Sequence, residues 1–221
     1  MATKNHKTRS KAPSLSAKMP NKTKIMAVGD IHGDVGLVKK LAKKAIDEKV
    51  DLVIIPGDLT WLNQSTKDLI GPFVKAHKKV LLIPGNHEPL STIDFLSQIY
   101  PNTKNIHGYG IKENDLGIFG AGYAEVGPFW VPDKEIFNAL KKGHDKIKDM
   151  KKKIMVAHSH HFGSKAEFSG IRGSKSVEKA IKEFHPDLVL TSHIHEAGGI
   201  EEQIGKTRII NVSRKPVVFE I

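Results

Sequence analysis

Five short aliphatic runs, each closed by turn residues and then by polar side chains of one chemical kind, constrain this chain more than any other feature. They are IMAVGD (Ile25 to Asp30), DLVIIPGD (Asp51 to Asp58), VLLIPGNH (Val80 to His87), KIMVAHSH (Lys153 to His160) and DLVLTSHIH (Asp187 to His195). Runs this short, rich in Val and Ile and ended by Gly or Pro, read as buried strands rather than helices. Between them Leu37 to Lys49, Ser65 to His77, Ser91 to Ile99 and Ser176 to Phe184 space their apolar residues three to four apart and predict helices. Such β-α-β-α alternation makes an α/β fold, with a largely parallel core sheet covered by helices. Ligands then bind beyond the carboxyl ends of the strands.

The remaining segments are plainer. Asp115 to Tyr123 (DLGIFGAGY) reads as a strand in a Gly-rich meander, and Asp133 to Lys152 as a highly basic, solvent-facing helix. The stretches Ile200 to Gln203, Thr207 to Val212 and Val217 to Ile221 are β-like, with a turn at Gly205-Lys206. No internal repeat and no long linker interrupts the core, so residues 23–221 are expected to form a single domain. Residues 1 to 22 differ in kind. Seven basic residues (Lys4, Lys7, Arg9, Lys11, Lys18, Lys22 and Lys24) precede the first acid, Asp30, and removing them lowers the formal charge from +11 to +4. A segment with so few large apolar residues cannot offset its ordering entropy, and it reads as a disordered basic tail. It suits a solvating or weakly phosphate-attracting arm better than a specific reader, so nucleic acid is a weakly supported partner.

Two exclusions narrow the chemistry. No window approaches the 18 or so apolar residues of a membrane span, so no membrane association is expected. The absence of cysteine removes disulfides, thiolate nucleophiles, iron-sulfur clusters and cysteine-bound zinc. With no apolar signal region either, a cytoplasmic location is expected. Any metal must be held by His, Asp, Glu or Asn, and the chain has twelve histidines.

The strand ends deliver that set: Asp30 and His32, then Asp58, then Asn86 and His87, then His158, then His193 and His195. Neighbouring strand ends lie about 5 Å apart, so side chains far apart in sequence can converge on a two-metal site. Residues two apart, as in Asp30/His32 and His193/His195, project to one side of an extended backbone and can grip one ion together. Singly, each piece has a plainer reading as a turn, a helix cap or a surface histidine. Five such clusters, each after an aliphatic run, do not. His158 directly follows the run IMVA and is preferred as ligand over His160, which faces the same side. Asp34 reads as a helix cap. Arg172 and Ser174 precede a helix, where they could hold a phosphate or merely cap it.

In this order, DIHG, GD, GNHE, a strand-end His and SHIH resemble the signature of the calcineurin-like metallophosphoesterase superfamily, from Ile25 to about Val212. The resemblance implies a four-layer α/β/β/α sandwich with two central mixed sheets and a dinuclear metal site at the strand ends. It implies that Asp30, His32 and His195 hold one ion, Asn86, His158 and His193 the other, and that Asp58 bridges them. His87 would be the catalytic histidine, binding the phosphoryl group and assisting the leaving oxygen without ligating metal. Imidazole, carboxylate and amide ligands suit two divalent transition metal ions, manganese first, with iron, zinc or nickel as alternatives. The family's last motif begins with Gly, whereas Ser192 stands here, which should tighten or shift that turn.

Protein phosphatases of this superfamily carry an Arg after the GD motif and another before GNHE, where this chain has Leu59-Thr60-Trp61 and Pro84-Gly85. That disfavours a phosphoprotein, and the C-terminal PDLVLTSHIHEAGG and IINVS segments resemble those of small stand-alone phosphoesterases, which points to a small phosphate-ester substrate, a small or nucleotide-like phosphodiester. A phosphomonoesterase, a phosphoprotein phosphatase and a non-catalytic metal-binding scaffold of the same fold are the alternatives.

Overall fold

The computed structural model describes residues 22–221; the expected basic tail lies outside the described residues except for Lys22. The aliphatic runs become strands because they are buried on both faces. In β2 (Leu52–Pro56) every residue is buried. Its alternate side chains go to different cores, Leu52 and Ile54 to one, Val53 and Ile55 to another. The same alternation holds for β1 (Lys24–Ala27) and β3 (Lys79–Ile83).

These three strands run parallel in a five-stranded sheet, extended by parallel β4 (Thr103–Asn105) beside β3 and closed by antiparallel β11 (Val217–Glu220) beside β1. The second sheet has six strands, in the order β5 (Gly110–Glu113), β6 (Leu116–Ala121), β7 (Lys152–Ala157), β8 (Leu188–Thr191), β10 (Thr207–Asn211) and β9 (Glu201–Ile204). Its four inner strands are parallel and its two edge strands antiparallel. Between the sheets lies a dry core, with Ile25, Ile54 and Ile83 from the first facing Ile118, Ile154 and Leu190 from the second. Truncating one such side chain to Ala typically costs about 2–5 kcal/mol.

Helices cover both outer faces. On the first sheet lie α1 (Val35–Asp47), α2 (Gly71–Lys75) and α3 (Leu90–Ile99), through Val38, Leu41, Phe73, Ile93 and Leu96. On the second lie α4 (Asp133–His144) and α5 (Lys175–Phe184), through Ile136, Leu140, Val177 and Ile181. The expected four-layer sandwich is thus the observed one.

Some local expectations are corrected. The helix expected over Ser65 to His77 shrinks to α2, because Pro72 lacks a backbone N–H and fits only a helix's first turn. The helix expected over Asp133 to Lys152 ends at His144, and Lys152 already belongs to β7. Nor is α4 solvent-facing throughout, since it buries Ile136, Ala139 and Leu140. Asp34 does cap α1, accepting from Leu37 N at 2.8 Å.

The topology has one consequence for chemistry. β1, β2 and β3 are parallel neighbours in one sheet, and β7 and β8 in the other. Their carboxyl ends meet at the same edge of the sandwich, where the cross-sheet contacts described next occur.

Candidate metal centre

Asp58 stands at the middle of the strand-end cluster. Its Oδ2 lies 3.5 Å from His158 Nε2, 3.6 Å from His32 Nε2 and 4.0 Å from His87 Nε2. Its Oδ1 accepts from His87 N at 3.0 Å, which fixes the carboxylate plane. Asp30 is held in a similar way. Oδ2 accepts from Ser192 Oγ and from His193 N, while Oδ1 faces His195 Nε2 at 3.7 Å and His32 Nε2 at 3.9 Å. His32 and His195 bring their Nε2 atoms within 2.9 Å of each other. On the opposite side His158 Nε2 lies 2.9 Å from Asn86 Oδ1, with the His193 ring 5.0 Å from the His158 ring. The structure therefore brings together all eight residues singled out at the strand ends. It leaves His160 outside, with Nε2 turned to the Ile171 carbonyl at 3.2 Å.

The backbone is strained where these side chains depart. Asp30, His32, Asp58 and His193 all have positive φ, at 53°, 49°, 50° and 75°. Left-handed geometry costs a non-glycine residue about 1–2 kcal/mol, least for Asp, Asn and His. It turns the chain sharply enough to aim each side chain back over the strand end. Close packing sets the glycines: a Cβ on Gly85 would sit 1.9 Å from Asp58 Oδ1, and one on Gly29 1.9 Å from Ser192 Oγ. Ser192 thus fills the space over Gly29 and orients Asp30, which is what the departure from Gly accomplishes.

Electrostatics follow from burial. Burial pushes the Asp58 carboxyl up to about 7, with Asp30 and Glu88 adding and His158 opposing. Burial also lowers His32 to about 4 and His193 to about 3, and it lowers His87 too, helped there by the charge of His158. For Asp30, burial is outweighed by His158, the Ser192 and Ser213 hydrogen bonds and His195, so its carboxyl is held below the usual range. His158 goes the other way: burial disfavours its charge, but Asp58 and Asp30 outweigh it. The His32 and His193 rings are thus neutral near pH 7, with lone pairs free to coordinate.

The donor set fits divalent cations. Asp30 Oδ1 and His193 Nε2 are buried and lack a hydrogen-bond partner among the described residues, a costly state for polar atoms. Pro56 O accepts from His158 Nδ1 at 2.9 Å, so the facing pair of His158 Nε2 and Asn86 Oδ1 is two acceptors unless a proton or a metal cation lies between them. Ligand atoms of Asp30, His32 and His195, and again of Asp58, His158 and His193, lie within 4.8 Å of one another.

Sequence reasoning missed some contributors. Glu88, fully buried, accepts from Leu59 N, Thr60 N, Thr60 Oγ1 and Gly85 N, clamping the loop after β2 to the loop after β3. Its only signal was an acid directly after His87. Trp61, noted only as a non-arginine, stacks on His87 with ring centroids 4.6 Å apart. Ser174 proves to be the cap of α5, accepting from Val177 N at 3.0 Å, and Arg172 lies over the Phe162 ring rather than in the main cleft.

A family model described as calcineurin-like phosphoesterase matches residues 23–197. A search of curated proteins finds no match in sequence. Among solved structures, TT1561 of Thermus thermophilus is similar with a TM-score of 0.72 and 20% identity, covering 90% of this chain and 99% of that one. A protein described as a novel archaeal phosphodiesterase is similar with a TM-score of 0.52 and 19% identity over 86% of this chain and 82% of its own. A dimetal phosphatase from Danio rerio has a TM-score of 0.56 and 10% identity, over 86% of each chain. At these identities the likeness is one of fold.

Proposed function

Because the chain belongs to the calcineurin-like phosphoesterase family, we propose that it hydrolyses a phosphodiester, small or nucleotide-like, with the help of two divalent transition metal ions. The observation that carries this reading is Asp58 Oδ2, set within 3.5–4.0 Å of imidazoles delivered by three strand ends from both sheets. In this reading Asp30, His32 and His195 would hold one ion and Asn86, His158 and His193 the second, with Asp58 shared between them. Manganese is the first choice, with iron, zinc or nickel as alternatives, because the ligands are imidazoles, carboxylates and an amide oxygen. When bound, such ions acidify the attacking water and offset charge on the phosphoryl oxygens.

The chain's own residues do the rest. Ser192 Oγ and His193 N fix the Asp30 carboxylate, and His87 N fixes that of Asp58, so both are oriented before any substrate arrives. His87 meets the phosphoryl group and, in its protonated form, passes that proton to the leaving oxygen; because its ring is shifted toward neutrality, this form is the minor one near pH 7. Trp61 packs on its ring and holds it toward the cluster.

Two features favour a diester over a monoester or a phosphoprotein. Among the described residues no Lys or Arg lines the cleft of about 600 Å³ above the cluster, so its lining offers a second phosphate charge no fixed cation besides the ions. His32 and Trp61 also line an adjoining hollow of about 410 Å³ with Gln64 and Lys67. A diester has two substituents to place on the two sides of Trp61, and a monoester has one. The reading includes a cytoplasmic location, supported by the lack of cysteine; among the described residues no helix is long and apolar enough to cross a membrane.

The test compares matched aryl phosphomonoester and phosphodiester substrates with metal-stripped protein, with and without manganese, using Asp58→Ala as control. Manganese-dependent turnover favouring the diester supports the reading. Monoester preference moves the protein to the small phosphatases, and no turnover with any of several metals leaves a scaffold.

A further inference from the structure

The cleft above the ligand cluster carries two side chains that a phosphoryl group alone does not need. Trp61, in the loop after β2, is 46% exposed, and Phe168, in the 3-10 turn Lys165–Ser169, is 62% exposed. Both line the cleft together with Asp58, Asn86 and His87. Single exposed apolar residues are ordinary on any surface. Two aromatics brought by loops of different sheets to one cleft are a different observation.

Neither ring is exposed for want of order around it. Trp61 stacks on His87 at 28° and meets the His32 ring at 5.1 Å, which fixes it and leaves nearly half its surface outward. The segment carrying Phe168 is tied down along its length. Gly163 N and Gly173 N donate to Glu167 Oε1 at 3.0 and 2.9 Å, Ser164 Oγ donates to Glu202 Oε2 at 2.6 Å, and Ser174 Oγ donates to Asp133. A loop anchored so firmly still leaves Phe168 outside, next to the half-exposed Ile171, which lines the same cleft. Among the described residues that lining holds no Lys or Arg, and Trp61, Phe168, Ile171 and Ile194 offer the rest of a substrate apolar and π contacts beside Ser169 and Glu196.

We infer that Trp61 and Phe168 form a subsite for a planar aromatic substituent of the phosphoester, a nucleobase, so that the substrate class is a nucleoside phosphodiester rather than a small alkyl diester or a polyphosphate. This rests on the phosphoesterase reading above. The cleft volume, about 600 Å³, is within the range of small-molecule sites, and every nucleobase has a face that can stack on an aromatic side chain.

The experiment compares adenosine 5′-phosphate with ribose 5-phosphate, which share the phosphate and differ by the base, in calorimetric titrations of the manganese-loaded full chain. The wild-type chain is expected to bind the nucleotide at least about tenfold more tightly. Phe168→Ala and Trp61→Ala are each expected to shrink that ratio toward one, and Trp61→Phe to restore most of it. A purely supporting role for Trp61 behind His87 would weaken both ligands equally and leave the ratio unchanged. In Trp130→Phe, where Trp61 is the sole tryptophan of the chain, the nucleotide should quench fluorescence and the sugar phosphate should not. Equal, manganese-dependent binding of the two ligands, or a ratio untouched in both alanine variants, overturns the subsite while the phosphoesterase reading stands. Failure to bind manganese, iron, zinc or nickel, together with no hydrolysis of the aryl diester or monoester with any of them, overturns both.

Discussion

The two halves of the ligand cluster are built from similar residues and held in different ways. On the inner side His158 is wholly buried and Asn86 and Asp58 nearly so, and the His158 ring is pinned from behind by the Pro56 carbonyl. On the outer side Asp30 is equally buried, but the His195 side chain is 39% exposed. Both halves reach the cleft, the inner through Asn86 and His193 and the outer through His32 and His195, but His158 lies packed behind it while His195 stands open to it. Because the His158 ring is pinned from behind and the His195 side chain is exposed, an ion in the inner position should exchange more slowly than one in the outer position. Asp58, whose Oδ2 is almost equidistant from His32 and His158, belongs to both.

The largest effect is expected where the halves join. Asp58→Ala should lose both ions and cut turnover by about three orders of magnitude or more; metal analysis beside a rate assay checks this, and loss of only one ion would break the shared role. Next is His87→Ala, which should keep metal content near wild type while turnover falls about 10²- to 10⁴-fold. Full rate on a poor leaving group would show that His87 has another role. The halves themselves separate in the pair His158→Ala and His195→Ala. The first should lose the inner ion and lower the melting temperature, since it leaves Asn86 and the Pro56 carbonyl buried and unpaired; the second should retain one ion and near-normal stability. Equal metal loss and equal melting in the two would erase the distinction. Ser192→Gly removes the hydroxyl that orients Asp30 and should weaken only the outer ion, by about 10- to 100-fold in affinity.

The smallest expected effect sharpens the comparison from outside the cluster. His107 accepts from Gly122 N at 2.9 Å, and burial lowers it to about 4, as burial lowers His32 in the cluster. A depressed histidine therefore marks burial, and only its neighbours mark a metal site. Above pH 6.5 His107 is neutral whether folded or unfolded. As pH falls below 6.5 the unfolded chain binds the proton first, so stability is lost progressively down to about pH 4 and then levels off. His107 alone should cost about 2 kcal/mol between pH 7 and pH 5, and His107→Gln should flatten that part of the unfolding curve by denaturant titration.

Much of this was legible before any coordinates. β1, β2, β3, β7 and β8 are marked by aliphatic runs ended by turn residues, and each is followed by the side chains that cluster. The short β4 and β5 carry no such run; Thr103–Asn105 is a strand because β3 offers its edge. Pro72 was readable as a helix start, yet the apolar spacing around it predicted a longer helix. Glu88 and Trp61 carried no periodic signal at all, since their roles are contacts with loops distant in sequence or with a neighbouring ring.

By itself the sequence determined that the five aliphatic runs are strands and which residue types stand at their ends, because these depend on neighbours a few positions away. The tertiary structure alone decided which strands pair within each sheet, that His160 turns to the Ile171 carbonyl, and which oxygen of Asp30 remains unpaired. Those outcomes are set by strand pairing and close packing between residues as much as 163 positions apart, as His32 and His195 are, and no local pattern encodes an angle or a distance at that range.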